Sequence, residues 1–88
     1  MTELHQYGRA LLNEKQPKEA MVIFKLNYGK HPKEFTTLMG MMRGYAANGD
    51  FKNALKYARQ AQAVSPGGGY KTFMDDAIKK LEQGKDIN

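Results

Sequence analysis

Residues Phe35 to Pro66 read FTTLMGMMRGYAANGDFKNALKYARQAQAVSP, and their spacing decides the fold. Leu38, Met41, Met42, Tyr45 and Ala46 recur at i, i+3, i+4, i+7 and i+8, which is one apolar face of a helix. Ala54, Tyr57, Ala58 and Ala61 repeat the pattern after Asn48-Gly49-Asp50. That tripeptide predicts a hinge between antiparallel helices. Asp50 is a strong N-cap, and Asn48-Gly49 supplies the left-handed backbone a helix exit needs. Large residues on one face meet small ones on the other, so the pair can pack closely.

Working outward, the same pattern stands 34 residues earlier: Thr2 aligns with Thr36, Leu4 with Leu38, Arg9 with Arg43, Lys18 with Lys52, Ala20 with Ala54 and Pro32 with Pro66. A helix-turn-helix unit of this length closed by proline resembles the tetratricopeptide repeat family. The resemblance is carried by Leu4, Tyr7, Gly8, Leu11, Ala20, Phe24 and Pro32 in the first copy. In the second it is carried by Leu38, Met41, Tyr45, Ala54, Ala61 and Pro66. It covers residues 1 to 66. The chain departs from the family preference at Met42, Asn27 and Ala58, which alters local packing and leaves the register unbroken. The resemblance implies an all-α superhelix of five antiparallel helices in a single domain. Repeat 1 is 1–34, repeat 2 is 35–66, 67–69 is a glycine-rich linker and 70–84 is a capping helix.

The helices follow from local signals. The first is expected to run from a Thr2 cap to about Glu14, burying Leu4, Tyr7, Gly8, Leu11 and Leu12. Gly8 costs about 1 kcal/mol relative to Ala in a helix interior, and in this family it admits a close partner helix. Pro17 suits the first position of a second helix over 17–30, which buries Ala20, Ile23, Phe24 and Asn27 or Tyr28. The third and fourth are expected at 34–48 and 51–64. A fifth over 70–83 shows the stripe Tyr70, Phe73, Met74, Ala77, Ile78, Leu81, with Thr72 and Asp75 in capping-box spacing and Gly84 as its C-cap. Asp76, Lys79, Lys80 and Glu82 give it a polar outer face suited to closing the stack. Lys85 to Asn88 reads as a frayed end. KKLEQGKDIN is similar to the ends of helical modules appended to bacterial proteins.

Eighty-eight residues make one domain, and a chain of this size buries only about 60 to 65% of its unfolded surface. Without cysteine it has no disulfide to add, which fits a reducing compartment and excludes no other. No apolar run approaches the roughly 20 residues needed to cross a bilayer, so no membrane insertion is expected. MTELHQYG has neither a basic start nor an apolar core, so no signal peptide is expected in this chain. Location stays open between the cytoplasm and, for a piece of an exported protein, the periplasm.

Formal charge is +5, from 14 basic and 9 acidic residues, which biases the surface toward anionic partners. The lysines are scattered along the helices, as on a solvated face. No catalytic constellation emerges. His5 and His31 lack metal-ligand spacing, Gly67-Gly68-Gly69-Tyr70-Lys71-Thr72 lacks the spacing of a phosphate loop, and Asp75-Asp76 point about 100° apart on a helix. No enzyme activity, metal or cofactor is expected.

The resemblance implies instead a protein-interaction module whose leading helices line a concave groove. Carried over residue by residue, it picks out Thr2, His5, Arg9 and Asn13 on the first helix, and Thr36, Met39, Arg43 and Ala47 on the third. If the fifth helix keeps that register, Lys71, Asp75 and Lys79 follow. Arg9 and Arg43, related by the repeat, are expected on neighbouring helices about 10 Å apart. Their guanidinium groups, flanked by Lys71 and Lys79, suit a carboxylate or acidic side chains. The arrangement resembles the family's carboxylate clamps in outline only, because His5 and Arg9 replace the characteristic Lys and Asn. Met41 and Met42 are read as core and Met39 as an adaptable groove contact. The partner is expected to be a protein or peptide of acidic character, a neighbouring domain or a second copy. The other class admitted by the charge is a basic helical domain binding nucleic acid or another polyanion, disfavoured because the lysines form no compact cluster and the aromatics lie in the core stripes.

Overall fold

The structure, a computed structural model, describes residues 2–87 and the side chains of 3–87. It is all-α: α1 (Thr2–Asn13), α2 (Pro17–Lys30), α3 (Phe35–Ala47), α4 (Phe51–Ala63) and α5 (Gly69–Glu82). The capping role expected of Thr2 lies outside the described side chains. α1 packs on α2 and α3, α2 on α3, α3 on α4, and α4 on α5.

α3 lies at the centre. Its only charged side chain is Arg43, and Leu38, Met39, Met41, Met42 and Ala46 are all buried. It therefore shares in two cores. One, between α1, α2 and α3, is built on Leu11, Ala20, Met21, Phe24 and Met41. The other joins α3, α4 and α5 through Leu38, Met42, Ala54, Ala58, Ala61, Met74, Ala77 and Leu81. Ala54, Ala58 and Ala61 are wholly buried, so the expected fit of large against small side chains is what brings α4 onto α3. Met42 and Met74, also wholly buried, each stabilise the fold by about 1.5–3 kcal/mol.

Phe24 is the wedge of the first core. An alanine Cβ at Gly8 would lie 2.5 Å from its ring, one at Gly40 2.7 Å and one at Gly44 3.1 Å. Glycines on α1 and α3 thus clear space for one aromatic side chain of α2, as expected for Gly8 and not foreseen for the other two. The stripe on α1 is narrower than predicted. Leu4 and Leu12 are half-buried and Tyr7 is 55% exposed, because among the described helices α1 has only α2 and α3 to lean on. Val22 and Leu26 of α2 are exposed as well. Of the α2 residues expected inside, Ile23 is half-buried and Asn27 fully buried, while Met21, unforeseen, joins the core.

The two hairpin turns close through the same pair of backbone bonds. Gly49 (φ 79°) donates to the Ala46 carbonyl at 3.0 Å and Asp50 to that of Tyr45 at 2.9 Å. Thirty-four residues earlier, Lys15 (φ 60°) donates to Leu12 at 3.0 Å and Gln16 to Leu11 at 2.8 Å. Lysine there accepts a left-handed backbone that costs an L-residue about 1–2 kcal/mol. Asp50 caps α4 as expected, its carboxylate accepting from the Asn53 backbone N–H at 3.2 Å and side-chain amide at 2.8 Å. These bonds, the side-chain one foremost, hold its pKa below the ordinary value. Asn48 ties the hairpins together, donating through Nδ2 to the carbonyls of Pro17 (2.9 Å) and Gly44 (2.8 Å).

α5 ends in the same turn: Gly84 (φ 70°) donates to Leu81, and Lys85 to Lys80. Its beginning differs from expectation. The N-cap is Gly68 with no side-chain cap, and Thr72 falls inside the helix, so the capping box does not form; Asp75 instead accepts a 2.8 Å bond from Gln62 of α4. Arg59 and Glu82 add an exposed ion pair across the same seam at 3.1 Å. Of the end expected to fray, Lys85 to Asn88, residue 88 lies outside the described residues, and Lys85 and Asp86 are exposed without secondary structure. Ile87 is partly buried against the second core.

Candidate functional site

Arg9 lies two turns into α1 and Arg43 at the equivalent place on α3. They line two adjoining cavities and so join them into one groove. The first, about 520 Å³, is walled by Arg9, Leu12, Asn13, Lys15, Pro17, Arg43, Ala47 and Asp86. The second, about 340 Å³, is walled by His5, Gln6, Arg9, Phe35, Thr36, Met39, Arg43, Tyr70 and Phe73. One end of the groove is cationic. The other is an aromatic shelf, where Phe35 and Tyr70 meet edge to face at 5.2 Å between centroids and the Arg43 guanidinium sits 5.4 Å from the centre of the Phe73 ring.

Electrostatics reports the crowding of positive charge. Burial, then the neighbouring charge of Arg9, lowers the Arg43 pKa, yet a guanidinium in a protein stays protonated. His5 gives way instead. Burial, then Arg43, then Arg9 pull it down to about 4, so it is neutral at pH 7. Its ring leans on Phe24 at 5.8 Å, and its buried Nδ1 has no hydrogen-bond partner among the described residues. An anion entering the groove would oppose the two arginine causes and raise that pKa.

Of the residues expected at a binding surface, His5, Arg9, Asn13, Met39 and Arg43 come together here, with Thr36 and Ala47. Met39 is more buried than a free groove contact: at 8% exposure it belongs to the core and shows the cavity only an edge. Lys71 and Lys79 are not in the groove. Lys71 is exposed and lines neither cavity, while Lys79 borders the α4–α5 seam beside Arg59, Gln62, Asp75 and Glu82. The buried stripe of α5 follows the register of the leading helices, with Met74 and Ala77 buried and Phe73 and Ile78 partly so, but the side expected to line the groove turns Asp75 and Lys79 onto the α4 seam, where Asp75 accepts from Gln62. Tyr70 and Phe73 then face α3 where lysines were expected. The sequence marked both as apolar stripe residues. That stripe outruns what α4 alone can cover, which was the available sign that part of it would form a wall.

Among the described residues no group of three or more His, Cys, Asp or Glu is placed to hold a metal, and no helix is long and apolar enough to cross a membrane. Comparison with protein-family models, curated proteins and solved structures returned no match.

Proposed function

We propose that the chain is a non-catalytic protein-interaction module of the tetratricopeptide type, which takes an acidic segment of a partner protein into the groove between α1, α3 and α5. The observation that carries this reading is the placement of Arg9 and Arg43, residues in register across a 34-residue repeat, in the walls of both cavities. The matched hairpin turns at Lys15 and Gly49 support the repeat itself. The first cavity carries three cations, Arg9, Lys15 and Arg43, against one carboxylate, Asp86, a surplus of two positive charges. Charge-assisted bonds from guanidinium to carboxylate are roughly twice as strong as neutral ones, and the shelf of Phe35, Tyr70 and Phe73 offers an apolar partner its own contact. His5, its pKa rising as the anion arrives, takes up a proton more readily in the complex.

A peptide array read with the wild-type chain, Arg9→Glu, and Arg9→Glu/Arg43→Glu tests this. Acidic peptides are expected to bind the wild type and to be lost from both variants; the single variant changes an exposed residue and leaves the packing of Arg43 on Phe73 in place. Equal binding by all three, or binding of duplex and single-stranded oligonucleotides as strongly as acidic peptides, would replace this reading with that of a diffuse polycation, whose affinity falls steeply with salt.

A further inference from the structure

We propose that the groove selects an extended segment of its partner in which an acidic residue and an aromatic one stand two positions apart, the acid in the cationic cavity and the ring on the aromatic shelf. This rests on the binding reading above and specifies its ligand. Arg9 and Arg43 are the residues the two cavities have in common, so the cavities are successive stations along one groove. On α1 the cationic cavity reaches from Arg9 to Asn13 and the aromatic one from His5 to Arg9; on α3 they reach from Arg43 to Ala47 and from Phe35 to Arg43. At a rise of about 1.5 Å per residue, their midpoints lie about 6 Å apart along α1 and about 9 Å apart along α3.

A strand advances about 3.3 Å per residue and turns successive side chains to opposite faces. Side chains two positions apart therefore share a face at about 6.6 Å, which falls within that interval. Adjacent residues point apart, and a separation of four overshoots at about 13 Å. The walls favour a strand over a helix. Gln6, Asn13 and Thr36 border the cavities, and their amides and hydroxyl are suited to pair with the backbone N–H and C=O groups that an extended chain leaves open and a helix uses internally. The stations also differ in chemistry. At one, Arg9, Lys15 and Arg43 outnumber the single carboxylate of Asp86, which complements an acid. At the other, Tyr70 is 50% exposed and meets Phe35 edge to face, so a further ring can continue the same geometry beside the Arg43 guanidinium that sits over Phe73.

The test is a set of serine-rich host peptides carrying one glutamate and one phenylalanine, in either order, at separations of one to four positions, with a glutamate-only peptide as reference. Each is titrated by NMR into the wild-type chain, Tyr70→Ser and Arg9→Glu. A separation of two is expected to bind the wild type about fivefold more tightly than the reference and than the other separations. Tyr70→Ser, a change at a half-exposed side chain in the first turn of α5, should level the series to the reference while glutamate-dependent binding stays. Arg9→Glu should abolish binding throughout. Equal binding at every separation, a preference for three or four, which is the spacing of a helix, or a preference for two that survives Tyr70→Ser undiminished would each overturn the proposal; glutamate-dependent binding lost in Arg9→Glu would then leave the groove reading standing. If no peptide, the reference included, binds any form, the groove reading falls and this inference with it.

Discussion

Replacing Gly8 with alanine places a methyl group 2.5, 2.7 and 2.9 Å from three ring atoms of Phe24, all inside contact distance. The ring cannot retreat, because alanine-sized space is already lacking on its α3 side, where a Cβ at Gly40 or Gly44 would stand 2.7 or 3.1 Å from it. Overpacking a core costs about 1–3 kcal/mol, and a ring held on both sides belongs at the upper end. Alanine returns about 1 kcal/mol of helix propensity, leaving a net loss of about 2 kcal/mol. At 4–8 °C per kcal/mol in a domain of this size, the Tm is expected to fall by about 10 °C. Gly29→Ala is the matched control: also helical, with nothing within 4 Å of the place its methyl group would take, it should gain up to about 1 kcal/mol. Urea unfolding of both variants reads the difference directly. Phe24→Leu in the Gly8→Ala background should recover part of the loss, giving a coupling of about 1 kcal/mol or more. If Gly8→Ala is as stable as Gly29→Ala, the wedge of Phe24 between α1 and α3 is wrong.

The remaining predictions concern the turns and the groove. Lys15→Gly should stabilise the chain by about 0.5–1 kcal/mol in thermal unfolding, since glycine takes the left-handed turn without strain and returns part of the gain as lost unfolded-state entropy. Asp50→Ala should cost about 1 kcal/mol through loss of the α4 cap, seen as a lower urea midpoint at unchanged slope. His5, lowered to about 4 in the fold from 6.5, contributes little to pH dependence above neutrality, where both states are unprotonated. As pH falls through 6.5 only the unfolded chain gains the proton, so stability drops until about pH 4 by about 1–2 kcal/mol, discounted for the solvent that reaches the groove. His5→Gln should remove that slope, and the wild-type minus variant difference isolates it from the carboxylates.

The elements were legible because each helix carries a stripe and a stop. Pro17, Asp50, Gly49 and Gly84 act as those residue types ordinarily do, and the observed bounds differ from the expected ones by a residue or so. Gly8 could be read as a close approach only through the repeat. Gly40 and Gly44, inside the most apolar helix, gave no separate sign that they face Phe24. What the sequence hid was rotation. Tyr7 and Tyr70 sit on flanks without enough neighbours to bury them, and periodicity tells which residues share a face without saying how wide a face the surroundings cover. The same gap misplaced Lys71 and Lys79: the stripe of α5 was legible, but not that the side carrying Lys79 would meet α4 rather than the groove. The fold-back of Lys85–Ile87 was hidden for another reason: a short polar segment after a glycine cap has no pattern, and its place is set by contacts with distant residues. Arg9 and Arg43, carried by α1 and α3, line the same two cavities.

The most direct test is a titration of an acid-rich peptide into the chain carrying ¹³C-labelled methionine methyls. Met39 alone among the buried methionines lines the aromatic cavity, so its signal is expected to move and saturate while those of Met42 and Met74 hold still, and Arg9→Glu should abolish the response. A Met39 signal that does not move, or one that moves equally in Arg9→Glu, would contradict binding in this groove.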